Sequence, residues 1–196
     1  MSKALLLSGG IDSIALAYLD RPAIAFTINY GQTPADTEIR VSRKIAEQLR
    51  IEHHVLSVDC SALGSGDLIN REAIASSPSS EWWPFRNQLL VTLAAMKAMS
   101  LGVTELMTAS VKSDGFHKDG TPDFYLLFDR LMSYQEGNLR VTAPAITLTS
   151  AELVQKSGVP RELLNWAHSC HKSNIPCGEC RGCNKYREVM YQIDNL

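Results

Sequence analysis

The segment SGGIDS at residues 8–13 carries the groups that proteins use to hold a phosphate. Gly9 and Gly10 have no side chains, so their backbone amides can close on an oxyanion. Ser8 and Ser13 add hydroxyl donors. The segment lacks the Gly-Lys-Ser/Thr ending of the Walker P-loop and the G-x-G-x-x-G spacing of the dinucleotide fingerprint. It therefore predicts a phosphate site of another kind.

The neighbouring residues place this segment between a strand and a helix. Residues 4–7 form a short apolar run that is typical of a buried strand, and apolar residues recur at helical spacing from Ile11 onward. The helix N-terminus adds positive potential. A carboxylate beside phosphates is repelled, so Asp12 must either cap the helix or hold a Mg²⁺ that bridges it to the phosphates. A tight turn with a capping Asp12 is the structural alternative.

The second group of reactive residues lies near the C-terminus. Four of the five cysteines have the spacing C-x6-C-x2-C-x2-C, and these are Cys170, Cys177, Cys180 and Cys183. Two consecutive C-x2-C steps bring thiolates within reach of one tetrahedral Zn²⁺, and four thiolates leave no open position, so we expect a structural ion. An iron–sulfur cluster is the competing occupant. His171 is a substitute ligand, and Arg181, Lys185 and Arg187 are expected to offset the thiolate charge.

Composition limits the class of protein. A length of 196 residues fits one domain with a small appendage, which we place at 1–165 and 166–196. A net charge of −2 argues against a protein built to hold nucleic acid. The longest apolar stretch is too short to span a bilayer. Clustered cysteines without a secretory signal favour metal binding in the cytoplasm.

Strand and helix patterns alternate along most of the chain. This alternation predicts an α/β fold with a doubly wound, mostly parallel sheet and ligands at the carboxyl ends of its strands. Two Gly/Ser/Pro-rich stretches, which include 76–87 and 112–123, are expected to form lids or pocket walls. The predicted strands are 4–7, 23–28, 53–59, 104–110 and a segment near 139–143, and the predicted helices include 34–50, 89–99 and 124–134.

The two motifs together resemble a known family. Residues 8–13 are similar to the SGGxDS signature of the PP-loop ATP pyrophosphatases, which have a HUP-like α/β fold. With the four-cysteine knuckle, the chain resembles the 7-cyano-7-deazaguanine synthases of that class. The likeness extends through FTINYGQ (26–32), PFRNQLLVTLAA (84–95), VTAPAITLTSAELV (141–154) and SCHKSNIPCGEC (169–180).

The resemblance implies an ATP-dependent C–N ligase. The substrate would be a 7-carboxy-7-deazaguanine-type acid, whose carboxylate ATP adenylates before ammonia displaces AMP. A second adenylation of the amide and loss of AMP would give the nitrile. ATP, Mg²⁺ and structural Zn²⁺ are the implied cofactors, and a homodimer is implied by the family likeness.

The resemblance also assigns roles to individual residues. Ser8, Gly9, Gly10, Asp12 and Ser13 would hold the β- and γ-phosphates, and Tyr30, Gly31 and Gln32 would lie near the nucleotide. Arg86 and Asn87 are the substrate-side candidates, since a guanidinium suits a carboxylate or α-phosphate. Asp114 or Asp123 could accept from a guanine-type N–H edge. Each has a structural alternative as a helix-entry, capping or solvated loop residue. Trp82 and Trp83 are either a lid over a flat heterocycle or an interface patch.

The acceptor end departs from the family pattern. The loop after the fourth strand keeps Pro122-Asp123 but not the tyrosines, cysteine and arginine of the family, and Ser150 stands where the family has a lysine before Ala-Glu. A paralogue that joins the activated acid to another amine, for example on a protein, and stops at an amide is therefore the first alternative. The others are a sulfur transferase acting on tRNA and a non-catalytic zinc-knuckle module, although the intact residues 8–13 speak against the latter.

Overall fold

The computed structural model describes residues 2–195, and within them the strands form one parallel sheet. The strands are β1 (Lys3–Leu6), β2 (Ile24–Asn29), β3 (Glu52–Ser57), β4 (Glu105–Met107) and β5 (Arg140–Thr142). They lie in the order β3-β2-β1-β4-β5, and every neighbouring pair is parallel. The chain changes direction across the sheet between β1 and β4, and such a switch point opens a crevice for ligands at the strands' carboxyl ends.

Seven helices lie in the described part of the chain. They are α1 (Ile11–Asp20), α2 (Ala35–Leu49), α3 (Arg86–Ser100), α4 (Pro122–Tyr134), α5 (Ser150–Ser157), α6 (Arg161–Leu164) and α7 (Arg181–Asp194). Single turns of 3-10 helix interrupt the loops that follow β3 and β4. None of the described helices is both long and apolar enough to cross a membrane.

The two faces of the sheet support separate apolar clusters. Successive side chains of a strand point to opposite faces, so Leu5 and Leu7 pack with α1, α2 and α5 while Ala4 packs with α3 and α4. Both faces are covered, as a parallel sheet requires. Helix α7 adds Val189 and Met190 to the first cluster and therefore shares a core with α1 and α5.

The predicted doubly wound α/β fold is confirmed, with differences at the element ends. Helix α3 begins at Arg86, three residues earlier than the apolar pattern indicates. Its first turn contains polar residues that line a cavity, so the apolar pattern begins only at Leu89. Strand β4 has three residues where seven were expected, since the chain leaves the sheet after Met107 to form the crevice.

Candidate active site

The loop between β1 and α1 has the geometry of a phosphate cradle. Gly9 has φ +77°, and a Cβ there would lie 3.2 Å from the carbonyl oxygen of Glu38 and from Val41. Glycine meets both constraints. Gly10 is the N-cap of α1, and Ser13 Oγ donates to its carbonyl oxygen at 2.9 Å. The first backbone amides of α1, which lack intrahelical acceptors, are therefore presented at the switch point of the sheet.

A cavity of about 280 Å³ opens above this cradle. It is lined by the carboxyl ends of β1, β2 and β4, by the first turns of α1 and α3, and by the chain that leads into α7. Of the candidate site residues, the structure brings eight to this one cavity: Ser8, Gly10, Asp12, Ser13, Tyr30, Arg86, Asn87 and Asp114.

Asp12 does not cap α1. The N-cap of α1 is Gly10, which has no side chain to cap the helix, and Asp12 Oδ2 instead lies 2.8 Å from Nζ of Lys185, on α7. Burial raises the pKa of Asp12, and the Lys185 ammonium offsets part of that rise. Oδ1 of Asp12 is buried and has no hydrogen-bond partner among the described residues. A buried carboxylate oxygen without a hydrogen bond, on a residue that lines the cavity, is a candidate ligand for a hard cation such as Mg²⁺.

Asp114 joins this ion pair from the loop after β4. Its Oδ1 lies 3.2 Å from Lys185 Nζ, and its Oδ2 accepts a hydrogen bond from the amide of Val111 at 3.0 Å. Asp114 therefore caps its own loop and also lines the cavity. Asp123, the other acidic candidate, lies in the first turn of α4 and lines neither of the two cavities described here.

A second wall of the cavity is built around Glu38, which the sequence did not single out. Glu38 Oε2 accepts from Gln32 Nε2 at 2.7 Å, and Gln32 also donates to the carbonyl of Ile28 and accepts from the amide of Tyr30. Gln32 is thus satisfied by protein atoms. Neither Gln32 nor Gly31 lines the cavity, so their part is to shape the turn after β2.

Burial changes the pKa of two side chains in this wall, Glu38 and Tyr30. It raises the pKa of Glu38 to about 7, against the hydrogen bond from Gln32 and the charge of Arg86. Burial also raises the pKa of Tyr30, whose hydroxyl lies near Arg86. The Tyr30 ring packs edge-on against Trp83 at 4.9 Å between centroids. Trp83 is 2% exposed, so it is a core residue and neither a lid nor an interface patch.

A second cavity, of about 560 Å³, adjoins the first. The residues that line both cavities include Arg86, Asn87, Asp114 and Lys185, and the second cavity is further lined by Glu81, His117 and Arg181. Asn87 Nδ2 donates to the carbonyl of Asp119 at 3.0 Å and so fastens the loop after β4 onto α3. This open, polar compartment lies beside the cavity above the cradle.

The four knuckle cysteines come together. Their Sγ atoms all lie within 4.8 Å of one another, with Cys177 to Cys183 and Cys180 to Cys170 at 3.9 Å each. Four sulfurs around one Zn²⁺ at about 2.3 Å would be about 3.8 Å apart. Backbone amides of Cys177, Cys180 and Cys183 point at these sulfurs at 3.4–3.5 Å. The cluster fits a zinc knuckle.

The knuckle also forms part of the cavity wall. The amide of His168 donates to the carbonyl of Gly9 at 2.9 Å, which ties the chain before the knuckle to the cradle. A Cβ on Gly182 would lie 1.7 Å from the carbonyl oxygen of Ser169, so glycine permits α7 to approach that chain. The basic residues expected to offset thiolate charge have other partners: Arg181 pairs with Glu81, Lys185 with Asp12, and Arg187 donates to Asn184.

The chain thus combines a cradle near its N-terminus with a four-cysteine knuckle near its C-terminus. Residues 3–193 match the family model described as queuosine biosynthesis protein QueC. The chain belongs to the QueC family.

Relatives of this QueC-family chain are similar over nearly their whole length. It is 30% identical to the 7-cyano-7-deazaguanine synthase of Methanosarcina barkeri, over 93% of this chain and 90% of that one. It is 31% identical to the enzyme of the same name from Desulforudis audaxviator, over 94% of each chain. The solved structure of NMN synthetase from Francisella tularensis matches with a TM-score of 0.50 at 17% identity, over 99% of this chain and 77% of that one, and shares the fold.

Sequence reasoning missed three residues of the site: Glu38, Glu81 and Lys185. Glu38 lies in a helix whose charged residues read as a solvated face, and Glu81 lies in a polar loop. Lys185 lies two residues after the last cysteine, where the sequence predicts a counter-charge to the thiolates. In none of the three does a local pattern indicate a cavity, so no signal in a single sequence was available.

Proposed function

We propose that this QueC-family protein is a 7-cyano-7-deazaguanine synthase that uses ATP to activate a 7-carboxy-7-deazaguanine-type acid and ammonia to aminate it. The observation that carries the proposal is the phosphate cradle of residues 8–13 opening into one cavity with Arg86 and Asp114, next to a second polar compartment. The family match and the names of the relatives support the same activity.

The chemistry follows from the poor reactivity of a carboxylate. The acid's oxygen attacks the α-phosphorus of ATP, and pyrophosphate leaves. Ammonia then adds to the acyl carbon, AMP departs with the original oxygen, and an amide forms. Attack of the amide oxygen on a second ATP releases another pyrophosphate, and elimination of AMP with loss of the nitrogen's protons leaves the nitrile. No side-chain nucleophile is required, so positioning and charge neutralisation supply the catalysis.

The cradle amides and the hydroxyls of Ser8 and Ser13 would bind the β- and γ-phosphates. Asp12, with its unpartnered Oδ1, would hold Mg²⁺. The cation would neutralise charge that builds on the departing pyrophosphate. The four cysteines would hold Zn²⁺, whose part is structural because no coordination position is open.

Arg86 is the residue that we assign to the reacting groups. It starts α3, lines both cavities and stands between the nucleotide cradle and the acceptor compartment. Its planar guanidinium can hold a carboxylate or the α-phosphate by two parallel hydrogen bonds. Asn87 holds the loop after β4 in place, and Asp114 remains the candidate for a guanine-type N–H edge.

The test is to supply the protein with ATP, Mg²⁺ and the carboxylic acid, with and without ammonium, and to follow the products by mass spectrometry. We expect the nitrile, with two AMP and two pyrophosphate for each molecule formed. An amide with one AMP would instead favour the paralogue that transfers the acid to an amine, and absence of AMP in every mixture would refute the proposal.

A matched pair of variants tests the cradle. Asp12→Asn should lower AMP formation by about 100-fold or more, because it removes the charge that holds the cation. Asp36→Asn changes an exposed carboxylate in the first turn of α2, outside both cavities, and should leave the rate unchanged. Equal rates for the two variants would contradict the role of Asp12.

A further inference from the structure

Lys185 brings a positive charge from the knuckle helix to the phosphate cradle. Its Nζ lies 2.8 Å from Asp12 Oδ2 and 3.2 Å from Asp114 Oδ1, and its side chain is 26% exposed. Among the described residues that line the first cavity, Lys185 and Arg86 are those with a lysine or arginine side chain. We infer that Lys185 is a phosphate-binding residue that holds the β- and γ-phosphates of the nucleotide and the pyrophosphate they become; this deepens, and rests on, the proposed function.

The hydrogen-bonding capacity of the ammonium supports this role. A lysine ammonium has three N–H donors and no acceptor. Asp12 and Asp114 take two of them, which leaves one for a ligand in the cavity that Lys185 lines. The two carboxylates hold the ammonium in place beforehand, so little side-chain freedom remains to be lost when a phosphate oxygen arrives.

The charges at the cradle call for such a cation. Asp12 and Asp114 bring two negative charges to a place where a triphosphate must bind, and Lys185 offsets one of them. The other cationic side chain, Arg86, stands at the opposite wall beside Tyr30 and Glu38. Lys185 is therefore the residue placed to counter charge on the cradle side, where pyrophosphate would leave.

Two features of the knuckle fix Lys185 in position. Helix α7 begins within the four-cysteine cluster, with Cys180 as its N-cap, so Lys185 lies in the second turn of a helix anchored by that cluster. Gly182 allows α7 to lie against Ser169 and His171. The knuckle would thus present a phosphate ligand to the loop at the other end of the chain.

Binding of phosphate compounds tests the inference without any turnover. Calorimetry with Mg²⁺ should show that Lys185→Met weakens the binding of inorganic pyrophosphate and of ATP by about 10-fold or more, the effect of losing a charge-assisted hydrogen bond. AMP, which lacks the β- and γ-phosphates, should bind within about twofold of wild type. Lys185→Arg, which keeps the charge, should recover most of the pyrophosphate affinity.

The control is Arg187→Met, which removes the same charge from an exposed position of α7 outside both cavities. It should bind all three compounds like wild type. The inference is overturned if Lys185→Met binds pyrophosphate as tightly as wild type, or loses AMP affinity to the same extent. If wild type itself binds neither ATP nor pyrophosphate, both the inference and the proposed function fail. If wild type binds them and Lys185→Met binds them equally tightly, only the inference fails and the proposed function stands.

Chemical modification of the wild-type protein gives a second readout that does not depend on a variant folding. Limited acetylation with acetic anhydride should modify Lys185 more slowly when pyrophosphate and Mg²⁺ are present. Lys172, which lies between two of the cysteines but lines neither cavity, should react at the same rate with and without pyrophosphate. Unchanged reactivity of Lys185 would count against the inference.

Discussion

The guanidinium of Arg181 donates to the carboxylate of Glu81 at 2.8 Å, although the two residues are 100 positions apart in the chain. The contact joins the start of α7, at the knuckle, to the loop that leads into α3. His117 lies 3.5 Å from the same carboxylate oxygen and connects the loop after β4. Three segments that surround the second cavity therefore meet at Glu81, whose side chain is 8% exposed.

Loss of Arg181 should loosen this compartment. Burial would raise the pKa of Glu81, but the hydrogen bond from Arg181 and those from nearby groups lower it to about 2, so the carboxylate is charged at neutral pH. Arg181→Met leaves that charge without its guanidinium, at a cost of about 1–2 kcal/mol because Arg181 is partly exposed. We expect faster amide hydrogen exchange in residues 77–85.

Two further variants test whether the faster exchange in Arg181→Met comes from loss of the ion pair with Glu81. Arg187→Met, on the same helix, should leave the exchange of residues 77–85 as in wild type. The double variant Arg181→Met, Glu81→Gln should recover part of the protection, since the unpaired charge is gone. Unchanged exchange in the single variant would show that the ion pair does not hold the loop.

The backbone of Gly9 gives a prediction about the cradle. Gly9→Ala places a side chain at φ +77° and 3.2 Å from Glu38 and Val41, so we expect a loss of about 1–3 kcal/mol in the free energy of unfolding and weaker ATP binding. Urea unfolding and calorimetry measure the two effects. Gly102→Ala is the matched control, because Gly102 has φ +69° with nothing within 4 Å of the added Cβ. It should show the backbone strain alone and bind ATP normally.

The cysteine cluster predicts that substituting Cys177 lowers the zinc content of the protein and that substituting Cys60 does not. Cys177→Ser removes one of the four clustered sulfurs at an exposed position, whereas Cys60→Ser changes a buried cysteine outside the cluster. Metal analysis should find about one zinc per chain in wild type and in Cys60→Ser, and a clear loss in Cys177→Ser. The free energy of unfolding should fall by about 3 kcal/mol or more with the metal. Full zinc content in Cys177→Ser would contradict the cluster's role.

Glu38 predicts how stability depends on pH. Its pKa is raised from 4.5 to about 7 in the folded protein, so between these values the native state keeps a proton that the unfolded chain releases. The free energy of unfolding should therefore fall as pH rises through this window. Glu38→Gln lacks that proton, so its stability relative to wild type should increase by about 2–3 kcal/mol from pH 5 to pH 8.

Urea unfolding of Glu38→Gln and wild type at several pH values measures this difference. Glu47→Gln, an exposed position on the same helix, should follow the wild-type pH dependence. Parallel curves for Glu38→Gln and wild type would show that the Glu38 pKa is not raised.

Local sequence pattern was enough to predict several parts of this protein. Alternating strands and helices gave the doubly wound sheet, residues 8–13 gave the cradle, and the C-x2-C steps gave the cysteine cluster, because each depends on spacing within a few residues. The family followed from the combination of the last two.

Which charged residues line the cavities depends on how distant segments of the chain pack together. Asp12 and Lys185 meet because α7 packs beside the cradle, and Glu81 meets Arg181 because the loop before α3 folds over the knuckle. Surface and cavity carboxylates have the same local sequence signals, so a pattern cannot tell them apart. Burial and the approach of distant chain segments create the difference, and both arise only when the sheet and helices have packed.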